Sequence, residues 1–85
     1  MYNGWANKET WTTFTWIGND SVTWSLARQA AQEGKEALYD FIREDVLDLH
    51  ARPPADLAWD LLQDAVDRID FDALRDALLD DGEGV

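Results

Sequence analysis

The strongest constraint on the fold is the helical spacing of apolar residues between positions 57 and 69. These residues follow one another at alternating intervals of one and three positions: Leu57, Ala58, Leu61, Leu62, Ala65, Val66 and Ile69. Such spacing draws one apolar stripe along an amphipathic α-helix. We therefore expect the stripe to face the core of an all-α fold.

Capping and breaking residues divide the rest of the chain into further short helices. The first helix is expected from the N-cap Asn7 to about Ile17, the second from Asn19 or Asp20 to Gly34, and the third from about Lys35 to Leu49. The fourth follows the break at Arg52-Pro53-Pro54, and Pro54 can begin it. The fifth is expected from the cap Asp70 to about Leu79. We predict one compact domain, 1–85, of four to five short helices. Residues 1–6 form an irregular lead-in, and 80–85 form a flexible acidic tail.

The first helix is rich in tryptophan and threonine. Trp11, Phe14 and Ile17 are spaced by three and share a face. The threonine-rich segment 10–16 also fits β-strand preference, which leaves a strand as the alternative. Because Asn7 is a good N-cap and Gly18 is a good C′ residue, we favour a helix packed against the third and fourth helices.

The second and third helices show broader apolar faces. In the second, Val22, Leu26 and Ala30 form one row, and Trp24, Ala27 and Ala31 form another. In the third, the residues expected to face the core are Leu38, Phe41, Ile42, Val46 and Leu49. Its acidic residues recur every fourth position and are expected to face solvent.

The net charge of −11 is strongly uneven along the chain. Residues 1–34 carry two basic and three acidic side chains, or −1, whereas residues 35–85 carry five and fifteen, or −10. A field of one sign attracts basic partners and repels nucleic acid and anionic membranes. We expect a monomer that binds neither DNA nor a membrane. The chain shows neither a signal peptide nor an apolar run of about 18 residues, so cytoplasm is the expected location.

Catalytic and metal-binding signatures are missing from the sequence. It has no cysteine, a single histidine, no Gly-rich phosphate loop and no EF-hand spacing of oxygen ligands. Paired carboxylates do acid–base chemistry only in a cleft that separates their pKa values, which a domain of this size rarely contains. We therefore expect no enzyme activity, no cofactor and no metal site.

The N-terminal segment carries a distinctive motif. Asn3, Gly4, Trp5, Asn7, Glu9, Thr10 and Trp11 form the string NGWxNxETW, and Trp16-Ile17-Gly18-Asn19-Asp20 follows. The motif resembles that of a family of small proteins found on phages, archaeal viruses and plasmids. In that setting the acidic chain looks similar to an all-helical, DNA-mimicking anti-CRISPR protein, with a type I complex as the candidate target. The resemblance covers about the first quarter of the chain.

Rows of carboxylates are the candidate binding residues. The set comprises Asp56, Asp60, Asp64 and Asp67 in the fourth helix, Asp72 and Asp76 in the fifth, and Glu36, Asp40 and Glu44 in the third. One such row spaces its charges by about 6 Å, against one phosphate per ~3.4 Å along a DNA strand. Rows on neighbouring helices together approach the density of phosphate. We expect them to form one acidic face that occludes the DNA-recognition surface of a host defence complex.

Three other interpretations stay open. Charged rows can be solvated faces that keep a small protein in solution. The thirteen Asp against five Glu, with two Lys against five Arg, also suit a salt-adapted domain without mimicry. A protein–protein adaptor could instead use an exposed aromatic patch around Trp5, Trp11 and Trp16.

Overall fold

Five α-helices account for most of the residues that this computed structural model describes, namely 4–51 and 56–80. They are α1 (Lys8–Gly18), α2 (Ser21–Glu33), α3 (Lys35–Asp40), α4 (Leu57–Arg68) and α5 (Phe71–Leu78). The predicted all-α domain is confirmed, and segment 10–16 is helical. The Pro53–Pro54 break and most of the predicted lead-in and tail, residues 1–3 and 81–85, lie outside the described residues.

Side-chain caps set where the helices begin. Asn7, Asp20 and Asp70 each accept a hydrogen bond from a backbone amide in the first turn of α1, α2 and α5, at 2.9, 3.0 and 3.1 Å. Each cap satisfies an amide that has no partner within its own helix. Gly34 separates α2 from α3 with φ 140° and ψ 172°, a conformation open to glycine almost alone. Gly18, expected just beyond α1, is instead its last residue.

The third helix differs from the single helix predicted to reach Leu49. After Asp40 it continues as a π-helical segment, Phe41–Val46, in which the Leu47 amide donates to the Ile42 carbonyl at 3.0 Å. Asp48 then adopts a positive φ of 57° and ends the segment before a 3₁₀ turn at Leu49–Ala51. The wider π-turn rotates the following side chains relative to an α-helix.

The core lies where α5 packs against α2 and α3, and α1 closes it from the side of α2, α4 and α5. Its buried apolar residues are Ile17, Ala27, Ala31, Leu38, Ile42, Leu49, Val66, Ile69, Phe71, Leu74 and Leu78. The expected packing of α1 is therefore only partly correct: α1 packs against α4 as expected, but its largest contact is with α2, it also contacts α5, and α3 is not among its main neighbours. Small Ala27 and Ala31 let α2 approach its neighbours closely.

Several residues of the predicted apolar stripe on α4 and of the apolar rows on α2 lie on the surface. Leu57 and Leu61 at the start of α4 are 70% and 61% exposed, and Val22 and Leu26 on α2 are also exposed. Periodicity identifies an apolar stripe, but a stripe is buried only where another element covers it. The N-terminal half of α4 instead contacts the chain through Trp59, whose indole Nε1 donates to the Leu49 carbonyl at 3.2 Å.

A polar network, which we call the N-terminal clamp, joins the start of α1 to the turn between α4 and α5. The fully buried Thr10 hydroxyl donates to Asn7 Oδ1 at 2.6 Å and accepts from the Asp70 amide at 2.8 Å. Asn7 Nδ2 donates to the Arg68 carbonyl at 2.6 Å. Two polar residues of the N-terminal motif, Asn7 and Thr10, therefore have a structural role.

Candidate binding surfaces

The acidic row predicted on the third helix is divided between two surfaces. Glu36 lies in a cleft against α5, whereas Asp40 and Glu44 lie in a groove against α2. Glu44 also contacts the neighbouring Arg43 guanidinium. The row is therefore not a single face, because Glu36 lies on the side of α5 and the other two residues lie on the side of α2.

Three of the predicted carboxylates gather around Tyr39, where α3, α4 and α5 meet. Asp67 accepts from Gln63 Nε2 at 2.9 Å and from the Tyr39 hydroxyl at 3.5 Å. Asp72 pairs with Lys35 at 3.3 Å across the same junction, in a cleft of about 310 Å³ that Glu36 also lines. We call Glu36, Asp67 and Asp72 the acidic junction; it is the part of the predicted set that the fold brings together.

The predicted row on α4 has mixed roles. Asp56 is the N-cap of α4 and accepts from the Ala58 amide at 3.1 Å. Asp64 pairs with Arg68 at 2.8 Å, and Arg68 also lies 3.6 Å from Glu9 of α1. Asp60 is exposed on the outer side of α4, and Asp76 is exposed on α5. Within the described residues, neither forms an ion pair.

Basic side chains are largely committed to contacts inside the chain. Arg75 Nε donates to the Ala31 carbonyl in the last turn of α2 at 2.7 Å, which joins α5 to α2. Arg43 Nε donates to Gln63 Oε1 at 2.7 Å, and its guanidinium lies 5.9 Å from the Trp59 ring centre. These arginines stabilise helix packing, and their guanidinium groups are engaged by other groups of the chain.

A groove of about 590 Å³ between α2 and α3 was missed by the sequence analysis. Its apolar lining residues are Trp16, Leu26, Ala30, Ala37, Phe41 and Val46. Its acidic lining residues are Glu33, Asp40, Glu44 and Asp45, and Thr23 and Gln29 complete the lining. We call it the α2–α3 groove. The available signal was the apolar row Val22-Leu26-Ala30, which lies beside the buried row of α2 and broadens the apolar arc of that helix.

The aromatic patch considered above does not assemble from its three tryptophans. Trp5 stacks at a tilt on Phe14, with ring centres 4.9 Å apart, and Phe14 meets the edge of Trp24 at 5.7 Å. Trp11 and Trp16 are five positions apart, which separates them by about 140° around α1. Trp16 alone is strongly exposed, at 54%, and it lines the α2–α3 groove.

One carboxylate has a clearly shifted pKa. Thr23 Oγ1 donates to Asp20 Oδ2 at 2.7 Å, and with the Thr23 amide it lowers the pKa of Asp20 below its ordinary value. Both donors favour the charged carboxylate. The cap of α2 is therefore held in its anionic, hydrogen-bonding form.

Neither metal nor membrane features emerge from the described part of the chain. Across 4–51 and 56–80, no three His, Cys, Asp or Glu side chains are grouped to hold a metal ion. None of the helices in those ranges combines the length and apolar character needed to span a bilayer.

Comparison with known proteins identifies a family. No curated protein and no solved structure matches the chain. A family model matches residues 1–81, nearly the full length. The chain therefore belongs to DUF7249, a family of unknown function.

Proposed function

We propose that this protein is a non-catalytic inhibitor encoded by a mobile element, which binds the cationic nucleic-acid-binding surface of a host defence complex. The favoured target class is a CRISPR–Cas effector subunit, and the site of action is the host cytoplasm. The protein would act stoichiometrically, as an acidic mimic of DNA that occludes the surface by which the complex recognises its target.

The observation that carries this proposal is the imbalance of exposed charge. Lys35, Arg43, Arg68 and Arg75 each contact another part of the chain. The exposed carboxylates that form no ion pair with described residues include Glu36, Asp60, Asp67 and Asp76. An external partner therefore meets a surface dominated by negative charge, as it would on DNA.

The mechanism is collective electrostatic attraction. A single exposed ion pair contributes only about 0–1 kcal/mol, so occlusion requires several carboxylates to act together. The acidic junction supplies carboxylates from three helices, of which that of Asp72 is paired with Lys35, and the exposed Asp60 and Asp76 add further negative charge. Binding of this kind weakens steeply as salt screens exposed charges, and DNA competes for the same surface.

A plasmid-interference assay tests the proposal. Cells with an active type I CRISPR–Cas system and a targeted plasmid are compared with and without expression of this protein. We expect the protein to restore plasmid maintenance. If maintenance stays at the level of the empty vector in type I strains and in strains with other CRISPR types, the proposed function is wrong.

Variants with matched charge locate the contact. The neutral triple variant E36Q/D67N/D72N changes the net charge by +3 at the acidic junction. The control T15K/S25K/Q32K makes the same change at exposed positions of α1 and α2. We expect the junction variant to lose more inhibition than the control. Equal losses would indicate that net charge alone matters and that the junction is not the contact.

Salt titration separates this mechanism from the interpretation as a salt-adapted domain. Mimicry predicts that a captured target dissociates as ionic strength rises and is displaced by duplex DNA. A salt-adapted domain instead loses helical circular dichroism at low salt and has no effect on plasmid maintenance.

A further inference from the structure

The α2–α3 groove combines an exposed apolar floor with an acidic rim. Trp16 is 54% and Leu26 is 48% exposed, and they come from α1 and α2 on one side. Half-buried Phe41 and Val46 come from the π-helical segment on the other side. Exposed tryptophan beside aliphatic side chains is typical of surfaces whose burial drives protein binding.

The rim of the groove has one sign of charge. Glu33 lies at the end of α2, and Asp40 and Asp45 lie along the opposite wall; all three are exposed. Within the described residues, no lysine or arginine lines the groove. An occupant must therefore present an apolar strip to the floor and positive charge to both edges.

The π-helical segment contributes directly to this rim. Asp45 follows buried Leu38 by seven positions, which in a continuous α-helix would place it within about 20° of the core-facing direction. Instead it is exposed and lines the groove. The wider turn of the π-helix thus keeps a carboxylate out of the core and adds it to the acidic wall.

We propose that the α2–α3 groove binds an amphipathic helix of a partner protein, with apolar residues on one face and lysines or arginines flanking them. Apolar side chains at positions i, i+4 and i+7 of that helix pack on Trp16, Leu26 and Phe41, as in other helix-in-groove complexes. The flanking cations pair with Glu33, Asp40 and Asp45. Nucleic acid and a second copy of this chain, with its charge of −11, are both repelled by the rim.

This inference goes beyond the proposed function because it concerns another surface and another kind of contact. The acidic junction offers charge without an exposed aromatic anchor, whereas the groove selects its partner by an apolar strip as well as by charge. The groove therefore gives specificity for one basic protein among many.

Three synthetic peptides of about 18 residues, five helical turns, test the proposal. The first is a basic amphipathic helix, with leucines at helical spacing and lysines and arginines elsewhere. The second keeps the leucines and replaces the basic residues by glutamates; the third scrambles the first. We expect micromolar binding of the first peptide in fluorescence anisotropy and at least tenfold weaker binding of the other two. No binding of the first peptide at about 1 mM would overturn the proposal.

Two single variants separate apolar docking from charge attraction. Leu26→Asp adds a negative charge on the floor of the groove, and Val22→Asp adds the same charge one turn earlier, at a 64% exposed residue that does not line it. We expect Leu26→Asp to weaken binding of the basic peptide at least tenfold and Val22→Asp to leave it unchanged or slightly stronger. If Leu26→Asp strengthens binding, attraction is electrostatic only and the proposal fails.

The indole N–H signals in NMR spectra report where the peptide lies. The Trp16 signal should shift on titration, whereas that of Trp59, which donates to the Leu49 carbonyl, should stay in place. Sedimentation of the free protein must show a monomer. A dimer that Leu26→Asp dissociates would assign the groove to self-association and overturn the proposal. None of these outcomes depends on plasmid interference, so the two proposals fail separately.

Discussion

The N-terminal clamp and the α2–α3 groove both use side chains of α1, but they differ in where their chemical groups find partners. In the clamp, the buried Thr10 hydroxyl donates to Asn7 and accepts from the Asp70 amide. In the groove, Trp16 and Leu26 remain about half exposed beside carboxylates. The clamp is complete within the chain, whereas the groove exposes apolar surface that this chain does not cover.

The difference separates residues that hold the fold from residues available to a partner. The most distinctive sequence motif contributes Asn7 and Thr10 to the clamp, so these two polar residues are explained by folding. The groove has no compact motif, because three separate segments supply its lining. A recognisable motif in a small protein can therefore mark its fold and say little about its partner.

Removing the central hydroxyl of the clamp should have the largest effect. Thr10→Val keeps the shape of the fully buried side chain but leaves the part-buried Asp70 amide without its acceptor, at a cost of about 2 kcal/mol in the free energy of unfolding. Urea denaturation followed by circular dichroism measures this loss of stability. The control Thr15→Val, at an exposed position of the same helix, should change stability by less than about 0.5 kcal/mol. If Thr10→Val and Thr15→Val lower the stability equally, the clamp contributes no more to the fold than an exposed position does.

Substitution of Gly34, which connects α2 to α3, should have the next largest effect on stability. Gly34 has φ 140° and ψ 172°, which residues other than glycine rarely adopt. Gly34→Ala should therefore cost about 1 kcal/mol or somewhat more in backbone strain, although open space surrounds the added methyl group. Gly18→Ala, in a helix and also in open space, should be neutral or stabilising by about 0.5 kcal/mol. Thermal unfolding of both variants shows whether each substitution lowers or raises the stability. A stabilising Gly34→Ala would contradict the assigned conformation.

Loss of the groove tryptophan should affect stability less than loss of the clamp. Trp16→Ala should cost about 0.5–1 kcal/mol, since half of the side chain is already exposed. The effects of Thr10→Val and Trp16→Ala should add to within about 0.5 kcal/mol, because the two side chains share no partner. A double-mutant cycle tests this. A larger coupling energy would show that the two regions are not independent.

The smallest effect concerns the cap of α2, the helix that forms one wall of the groove. The hydroxyl of Thr23 lowers the pKa of Asp20, so the folded state favours the ionised carboxylate. The resulting stability is present above the ordinary pKa of an aspartate and is lost as pH falls through the lowered value. Asp20→Asn keeps a capping oxygen that does not titrate.

The midpoint temperatures of wild type and Asp20→Asn should therefore converge as the pH falls through the acid range, with wild type more stable at neutral pH. Circular dichroism at a series of pH values provides the comparison. A difference that stays constant with pH would indicate that the Asp20 carboxylate is not stabilised by its hydrogen bonds to Thr23.

Helix positions could be predicted where their causes are local. Asn7, Asp20 and Asp70 are correct as caps because capping depends on a few neighbouring residues. The π-helical segment was not predicted, because the sequence of α3 continues a helical period through it. Leu57 and Leu61 were assigned to the core wrongly, since periodicity does not reveal whether another element covers a stripe.

The candidate surfaces were less accessible to sequence analysis. Spacing by four predicted outward positions for Asp60 and Asp76, and both are exposed. Which carboxylates lie close together depends on how the helices pack. The sequence therefore could not distinguish the carboxylates of the acidic junction from Asp56, which caps α4, or from Asp64, which pairs with Arg68. The groove requires Trp16, Leu26 and Asp40 from three helices to converge, which no local pattern encodes.

The hydrogen bond from Asn7 to the Arg68 carbonyl joins residues 61 positions apart, and this has a consequence for biosynthesis. Ribosomes add about 5–20 residues per second, so α1 is synthesised seconds before the turn between α4 and α5 that completes the clamp. An isolated helix of 11 residues is marginal in water. Nascent chains that stop before Ile69 should therefore remain protease-sensitive, and native structure should form only once the turn between α4 and α5 has been synthesised.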